Sequence, residues 1–116
     1  MTKSIISADP STTVFQVANL MEKGGVGAVI VKNGTRPAGI ITDRDFAIKI
    51  TTQKLSSDTT IDKVASYPLK TIESGESIKT AASIMSSKKI RKLAVVENSK
   101  IIGIVTSTDL VNQLAK

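Results

Sequence analysis

An internal duplication limits this chain to folds that can be built twice. Gly39-Ile-Ile-Thr-Asp-Arg-Asp45 returns as Gly103-Ile-Val-Thr-Ser-Thr-Asp109. The offset that carries Gly39 to Gly103 also pairs, without a gap, Ala18 with Ala82, Met21 with Met85, Val31 with Val95, Ile40 with Ile104, Thr42 with Thr106 and Asp45 with Asp109. Val14/Ile78, Leu20/Ile84, Val26/Ile90 and Phe46/Leu110 fill the register conservatively. A register this long is a repeat, so both halves must fold alike. The 116 residues are about one domain's length. Half of that is marginal alone, so two copies sharing a core are expected, residues 1–54 and 55–116.

Each copy reads as strand, helix, strand, strand, helix. In the first, residues 4–8 form a short strand closed by Asp9-Pro10-Ser11, and Thr12 or Thr13 caps a helix with Val14, Val17, Ala18 and Met21 inward. Gly24-Gly25 ends that helix. Residues 26–31 are a continuous apolar run, as in a strand covered on both faces; Asn33-Gly34 turns the chain, and Ala38 to Thr42 is the next strand. A helix over about 43–52 turns Phe46, Ala47 and Ile50 inward. After a polar linker, 53–60, Thr60 caps a brief turn, and Tyr67-Pro68 forces extended backbone. The second copy repeats the order, with Ile78, Ala81, Ala82 and Met85 as its helical stripe and Leu110, Val111 and Leu114 inward on the last helix.

The duplicated motif is where chemistry is expected. A strand that ends in Thr106 or Ser107 and passes into a helix presents unpaired amides and the positive end of a helix dipole, which favour anions such as phosphate. Asp109 in the first turn offers a carboxylate that suits adjacent sugar hydroxyls. Thr42 and Asp45 repeat the arrangement. A carboxylate in a first turn is also favoured by the dipole alone, and either threonine can be simply a cap. The chain has no Cys, His or Trp and a formal charge of +6. Thiolate nucleophiles, imidazole bases, zinc fingers and Ser-His-Asp triads are thereby excluded, so no catalytic residue and no metal-ligand set is expected. The charge favours anionic partners. No apolar run is long enough to span a membrane and no signal-peptide core is present, so a cytoplasmic location is expected.

The two motifs, with Val14-Phe-Gln-Val-Ala-Asn-Leu-Met21 and Ile78-Lys-Thr-Ala-Ala-Ser-Ile-Met85 upstream, resemble a tandem pair of CBS domains, the repeat named after cystathionine β-synthase. The resemblance covers nearly the whole chain. It implies an α/β (α+β) fold of two β-α-β-β-α repeats related by a pseudo-two-fold axis, packed sheet to sheet with helices outside, and two clefts for AMP, ADP, ATP or S-adenosylmethionine. It implies that Asp45 and Asp109 hold ribose hydroxyls and that Thr42 and Thr106, with Arg44 and Thr108, meet ribose or α-phosphate. For the Asp109 cleft the adenine pocket would be Ile5, Ile6, Val26 and Ala28; for the Asp45 cleft, Leu69, Lys70, Ile90 and Lys92. Arg91 and Lys92 fill the family's phosphate-facing basic places, where the first copy has Gly27 and Ala28, so the Asp109 cleft is expected to bind phosphorylated ligands more tightly. Where the family commonly has Pro in the apolar strand, this chain has Ile30 and Ala94.

The expected function is a regulatory, energy-sensing module, not an enzyme, whose adenosine ligand is a signal and not a catalytic cofactor. Expected partners are that small molecule, a second copy in a homodimer, since Ile48 is an apolar residue on a helix flank with polar Asn112 as its counterpart, and an unidentified protein that receives the signal. Two other classes fit parts of the sequence. A nucleic-acid binder would use the basic run Lys88, Lys89, Arg91 and Lys92, but Phe15, Phe46 and Tyr67 are the only aromatics and make no stacking platform. A purely structural dimerisation module would not need both Thr and Asp in both copies.

Overall fold

The computed structural model describes residues 1–115; Lys116, the end of the second expected repeat, lies outside them. The elements are β1 (Ser7–Ala8), α1 (Val14–Gly24), β2 (Ala28–Asn33), β3 (Arg36–Thr42), α2 (Asp43–Asp45) continuing as a π-helical turn (Phe46–Ile50), and a 3-10 turn (Ile61–Lys63). Then come β4 (Thr71–Glu73), α3 (Ile78–Lys88), β5 (Lys92–Glu97), β6 (Lys100–Thr106) and α4 (Ser107–Leu114). The described residues thus form a mixed α/β structure, with four α-helices and two three-stranded sheets. No helix among the described residues is long and apolar enough to cross a membrane. The chain divides into two compact units, one of residues 6–69 and one of residues 1–5 with the chain from Lys70 onward.

In the 6–69 unit β1 runs parallel to β2, and β2 pairs antiparallel with β3 in the register Ile30 to Ile40. In the other unit β4 is parallel to β5, and β5 pairs with β6 in the register Ala94 to Ile104, so the pairing moves by the offset of the sequence repeat. Even the irregularity repeats: the ladder slips after Val31 in one sheet and after Val95 in the other. Thr13 caps α1 in a capping box with Gln16, and Ser77 caps α3. Gly25 closes α1 in the left-handed region at φ 62, a conformation that costs glycine nothing; Lys89 takes the same place after α3 at φ 56.

One core gathers Val14, Val17, Val29, Val31, Ile41, Ile61 and Val64; the other gathers Ile72, Ala81, Met85, Leu93, Val95 and Leu110. Ala28 and Ile30, on the opposite face of β2 from Val29 and Val31, are buried too, which explains the unbroken apolar run. Several inward expectations are corrected. Ala18 and Ala82 are exposed, because each helix buries a stripe narrower than four positions and these alanines fall at its edge. Ala47 is exposed, because the π-helical turn widens the spiral and leaves the inward side to Phe46 and Ile50. On α4 only Leu110 is buried, so the helix contributes its first turn to the core and leaves Val111 and Leu114 uncovered. Thr60 makes no side-chain cap; its hydroxyl turns to the Asp62 carboxylate instead.

The first strand, expected over residues 4–8, is only Ser7–Ala8; Ile6 still accepts from the Ile30 amide of the same sheet, and farther back the chain pairs with another strand. Thr2 exchanges backbone hydrogen bonds with Ile104 at 2.8 and 2.9 Å, and Ser66 does so with Ile40 at 2.9 and 3.1 Å. The two pairs are equivalent under the repeat, Thr2 answering to Ser66 and Ile40 to Ile104. Each unit therefore adds to the edge of its last strand the leading segment of a repeat. The added backbone approaches so closely that only glycine fits opposite it: a Cβ on Gly39 would lie 2.6 Å from the Ser66 carbonyl oxygen, and one on Gly103 would lie 2.8 Å from that of Thr2. Gly39→Ala is expected to lower stability by about 1–3 kcal/mol, the usual penalty of overpacking, because the obstacle is backbone and not a flexible side chain. Urea denaturation should show this as a lower midpoint.

Candidate functional site

β3 and β6 each end on a threonine that is extended, φ −123 for Thr42 and φ −115 for Thr106, while the next residue is already helical. In both junctions the threonine and the aspartate three residues later form a capping box. Asp45 Oδ2 accepts from the Thr42 amide at 2.8 Å and from its hydroxyl at 3.2 Å, and the Asp45 amide donates back to Thr42 Oγ1 at 3.4 Å. Asp109 Oδ2 accepts from the Thr106 amide at 2.9 Å, and the Asp109 amide donates to Thr106 Oγ1 at 3.1 Å. The carboxylates are thus caps as well as candidate ligand groups. Their position relative to strand end and helix start is fixed by backbone bonds.

The strand opposite completes the site. Lys92, the first residue of β5, pairs with Thr106, and the Ser107 amide donates to the Arg91 carbonyl at 2.9 Å. Directly opposed residues of an antiparallel pair share a face, so Lys92 and Thr106 lie on one face of the sheet. The first copy has the same backbone, with Ala28 opposite Thr42 and the Asp43 amide bonded to the Gly27 carbonyl at 3.0 Å, but no side-chain cation on that strand position.

The two carboxylates differ in surroundings. Asp45 is the buried charged residue among the described residues, its side chain 11% exposed, and its Oδ1 lies 3.1 Å from Lys49 Nζ. Asp109 is more open, its side chain 31% exposed, and the amino group of Met1 lies 3.7 Å from the same Oδ2 that Thr106 holds. Partial burial pushes the Asp109 carboxyl up, but hydrogen bonds from the amide and hydroxyl of Thr106 and the charge of the amino terminus outweigh it, and the group is held below its ordinary range.

The expected site residues are distributed as follows. Arg91, Lys92, Thr106, Thr108 and Asp109 come together around the start of β5 and the start of α4, in the unit that also holds Ile5, Lys70 and Ile90. Arg91 and Thr108 are exposed. Thr42, Arg44 and Asp45 come together at the end of β3, in the unit that also holds Ile6, Val26, Ala28 and Leu69. Ile6 and Lys70 carry equivalent backbone bonds, accepting from the Ile30 amide at 2.9 Å and the Ala94 amide at 3.2 Å. A proline at position 30 or 94 would have no such donor, so the departure from the commoner residue ties these segments to the sheet. Lys49 was not among the expected residues, although its i, i+4 spacing from Asp45 on a helix was a readable signal. No group of three or more residues suited to a metal is present among the described residues.

Residues 1–51 and 61–116 each match the CBS domain. The chain belongs to the CBS domain family. It is 33% identical over 116 residues to the CBS domain-containing protein YhcV of Bacillus subtilis, spanning 99% of this chain and 83% of that one. It is 36% identical over 111 residues to an uncharacterized protein of Methanopyrus kandleri, spanning 93% of this chain and 57% of the relative. Among solved structures, an uncharacterized conserved protein from Pyrococcus horikoshii superposes with a TM-score of 0.88 at 26% identity, covering 100% of this chain and 89% of the other. A CBS domain protein from Pyrobaculum aerophilum, complexed with AMP, superposes with a TM-score of 0.81 at 23% identity over 99% of this chain and 94% of that one, a likeness of fold.

The depressed Asp109 carboxyl has a consequence for acid stability. A carboxylate whose folded-state value lies below its unfolded value stabilises the fold fully above the unfolded value, about 3.9, and the contribution is lost as pH falls through the folded value. Asp109→Asn should therefore be less stable than the parent at pH 7, with the gap narrowing below about pH 4 as the parent's own carboxylate protonates. Urea denaturation of both proteins across that range measures it.

Proposed function

We propose that the chain is a regulatory module that binds an adenine nucleotide (AMP, ADP or ATP) or S-adenosylmethionine at the Asp109 motif and passes the ligand's presence to a protein partner. The observation that carries the reading is the convergence at the start of α4: a partly exposed carboxylate held ionised, a threonine fixed beside it, and a basic pair, Arg91 and Lys92, brought opposite by strand register. A carboxylate suits the vicinal hydroxyls of ribose, and a basic pair next to a helix start suits phosphate. AMP in a protein of this fold supports the choice of ligand class. The first copy lacks the basic pair, which makes the Asp109 motif the tighter site for phosphorylated ligands. We read the chain as a binding module and not an enzyme, and place it in the cytoplasm.

Titration calorimetry with AMP tests this. Asp109→Asn, which keeps a capping acceptor, should weaken AMP by about ten- to a hundredfold, or about 1.5–3 kcal/mol, the usual value of hydrogen bonds to a charged group. Arg91→Ala should weaken AMP while leaving adenosine nearly unchanged. The basic surface leaves nucleic acid as the rival. Binding of an RNA or DNA oligomer with a log-log salt slope near −0.9 per phosphate, combined with no mononucleotide binding, would replace the nucleotide reading.

The module is also proposed to pair with a second copy through exposed helix flanks, where Ile48, Val111 and Leu114 are 45%, 63% and 74% exposed. Light scattering at micromolar concentration should give the mass of a dimer, and Ile48→Glu should shift it toward monomer.

A further inference from the structure

The two copies of the Thr-x-x-Asp motif differ in what already sits on the carboxylate. Lys49 Nζ lies 3.1 Å from Asp45 Oδ1, 2.9 Å from the Val64 carbonyl oxygen and 3.5 Å from Ser66 Oγ. An ammonium has three donors, and these acceptors match them in number. Thr42 holds the other oxygen of Asp45, Oδ2. Both oxygens of the Asp45 carboxylate are therefore engaged by the chain itself. The side chain that does this leaves the helix within the π-helical turn Phe46–Ile50, a backbone departure that the second copy does not share: α4 runs as a regular helix over Ser107–Leu114. Irregular turns of this kind recur at functional positions. The counterpart of Lys49 in the second copy is Gln113, which is neutral and exposed.

We propose that Lys49 is a specificity-determining residue that keeps the first motif closed to ribose, so that the chain takes up adenine nucleotide at Asp109 and not at Asp45. The inference rests on the ribose reading of the motif given above. A sugar hydroxyl that is to bond Asp45 Oδ1 must displace an ammonium, and a charge-assisted hydrogen bond is roughly twice as strong as a neutral one. The ammonium is tethered, so it also competes without the cost of being brought from solution. Displacing it strips Lys49 from the Val64 carbonyl and Ser66 as well as from Asp45. At Asp109 no lysine within Ser107–Leu114 opposes the ligand: the Met1 amino group, at 3.7 Å, lies on the same Oδ2 that Thr106 already holds, and Arg91 and Lys92 stand at the start of the opposing strand, where they attract phosphate.

Two measurements test this with AMP as the probe. In titration calorimetry the parent chain should bind one AMP per chain, lost in Asp109→Asn, and Lys49→Gln should acquire a second site, its affinity raised by roughly tenfold or more, that disappears again when Asp45→Asn is added. In the unaltered protein, carboxyl carbon resonances should show Asp109 moving on AMP addition while Asp45 stays in place, a readout that does not depend on any variant folding. A parent chain whose Asp45 resonance moves at the same AMP concentration as that of Asp109, or a folded Lys49→Gln that still takes one AMP, overturns the role of Lys49 while leaving Asp109 binding intact. Absence of AMP binding from every chain, Lys49→Gln included, overturns the ribose reading itself and this inference with it.

Discussion

At the end of β3 and again at the end of β6 the backbone must pass from extended to helical within one residue, which leaves the first amides of the helix without partners inside it. The Thr-x-x-Asp pairing satisfies them from both sides: threonine oxygen to aspartate amide, aspartate oxygen to threonine amide. Much follows from that exchange. It fixes the angle at which the helix leaves the sheet, and so decides that Leu110 points into one core and Phe46 against the other. It also holds a carboxylate close to the first residue of the opposing strand, because Ala28 and Lys92 are the register partners of Thr42 and Thr106. A structural device and a candidate binding group are thus the same residue, and neither role excludes the other, since capping occupies Oδ2.

The duplication kept this backbone and varied the charges around it. In the second copy, cations stand at the start of the strand, at Arg91 and Lys92, where the first has Gly27 and Ala28. In the first copy, a cation stands on the helix at Lys49, where the second has Gln113. The same sign of charge does opposite things in the two places. On the strand it lies beside the motif and, in the proposed reading, adds to the field that attracts a phosphate; on the helix it reaches back to the carboxylate and occupies it. Burial follows the same division, with Asp45 more enclosed than Asp109.

Much of this was legible in the sequence because it is local. The helix caps, the closing Gly25, the Asn33-Gly34 turn and the order of elements are set by residues within a few positions of one another, and the constant offset of the repeat carries the pattern from one copy to the other. What was not legible depends on chain far away. Thr2 and Ser66 carry no alternating apolar pattern, and nothing near them announces Ile104 and Ile40 as partners; only the glycines at 39 and 103, seen beside them in space, explain why the approach is possible. Ala18 and Ala82 escape sequence reasoning for a related reason: helical spacing gives the direction of a stripe but not its width, which the breadth of the sheet decides. Lys49 was a missed local signal, since Asp45 and Lys49 stand four apart on one helix.

The leading segments bear on the carboxylates directly. The chain passes from one unit to the other after Ile5 and again after Leu69, which are counterparts in the two copies, so the exchange belongs to the repeat and not to one copy. In the 6–69 unit the segment that pairs with Ile40 also supplies Ser66 to the ammonium that holds Asp45. In the other unit the segment that pairs with Ile104 brings the Met1 amino group to Asp109. In both, the segment added at the sheet edge meets the motif through a positive charge, by holding it in one case and bearing it in the other. Each segment then continues into the parallel strand of the other unit, Ser7–Ala8 in one case and Thr71–Glu73 in the other.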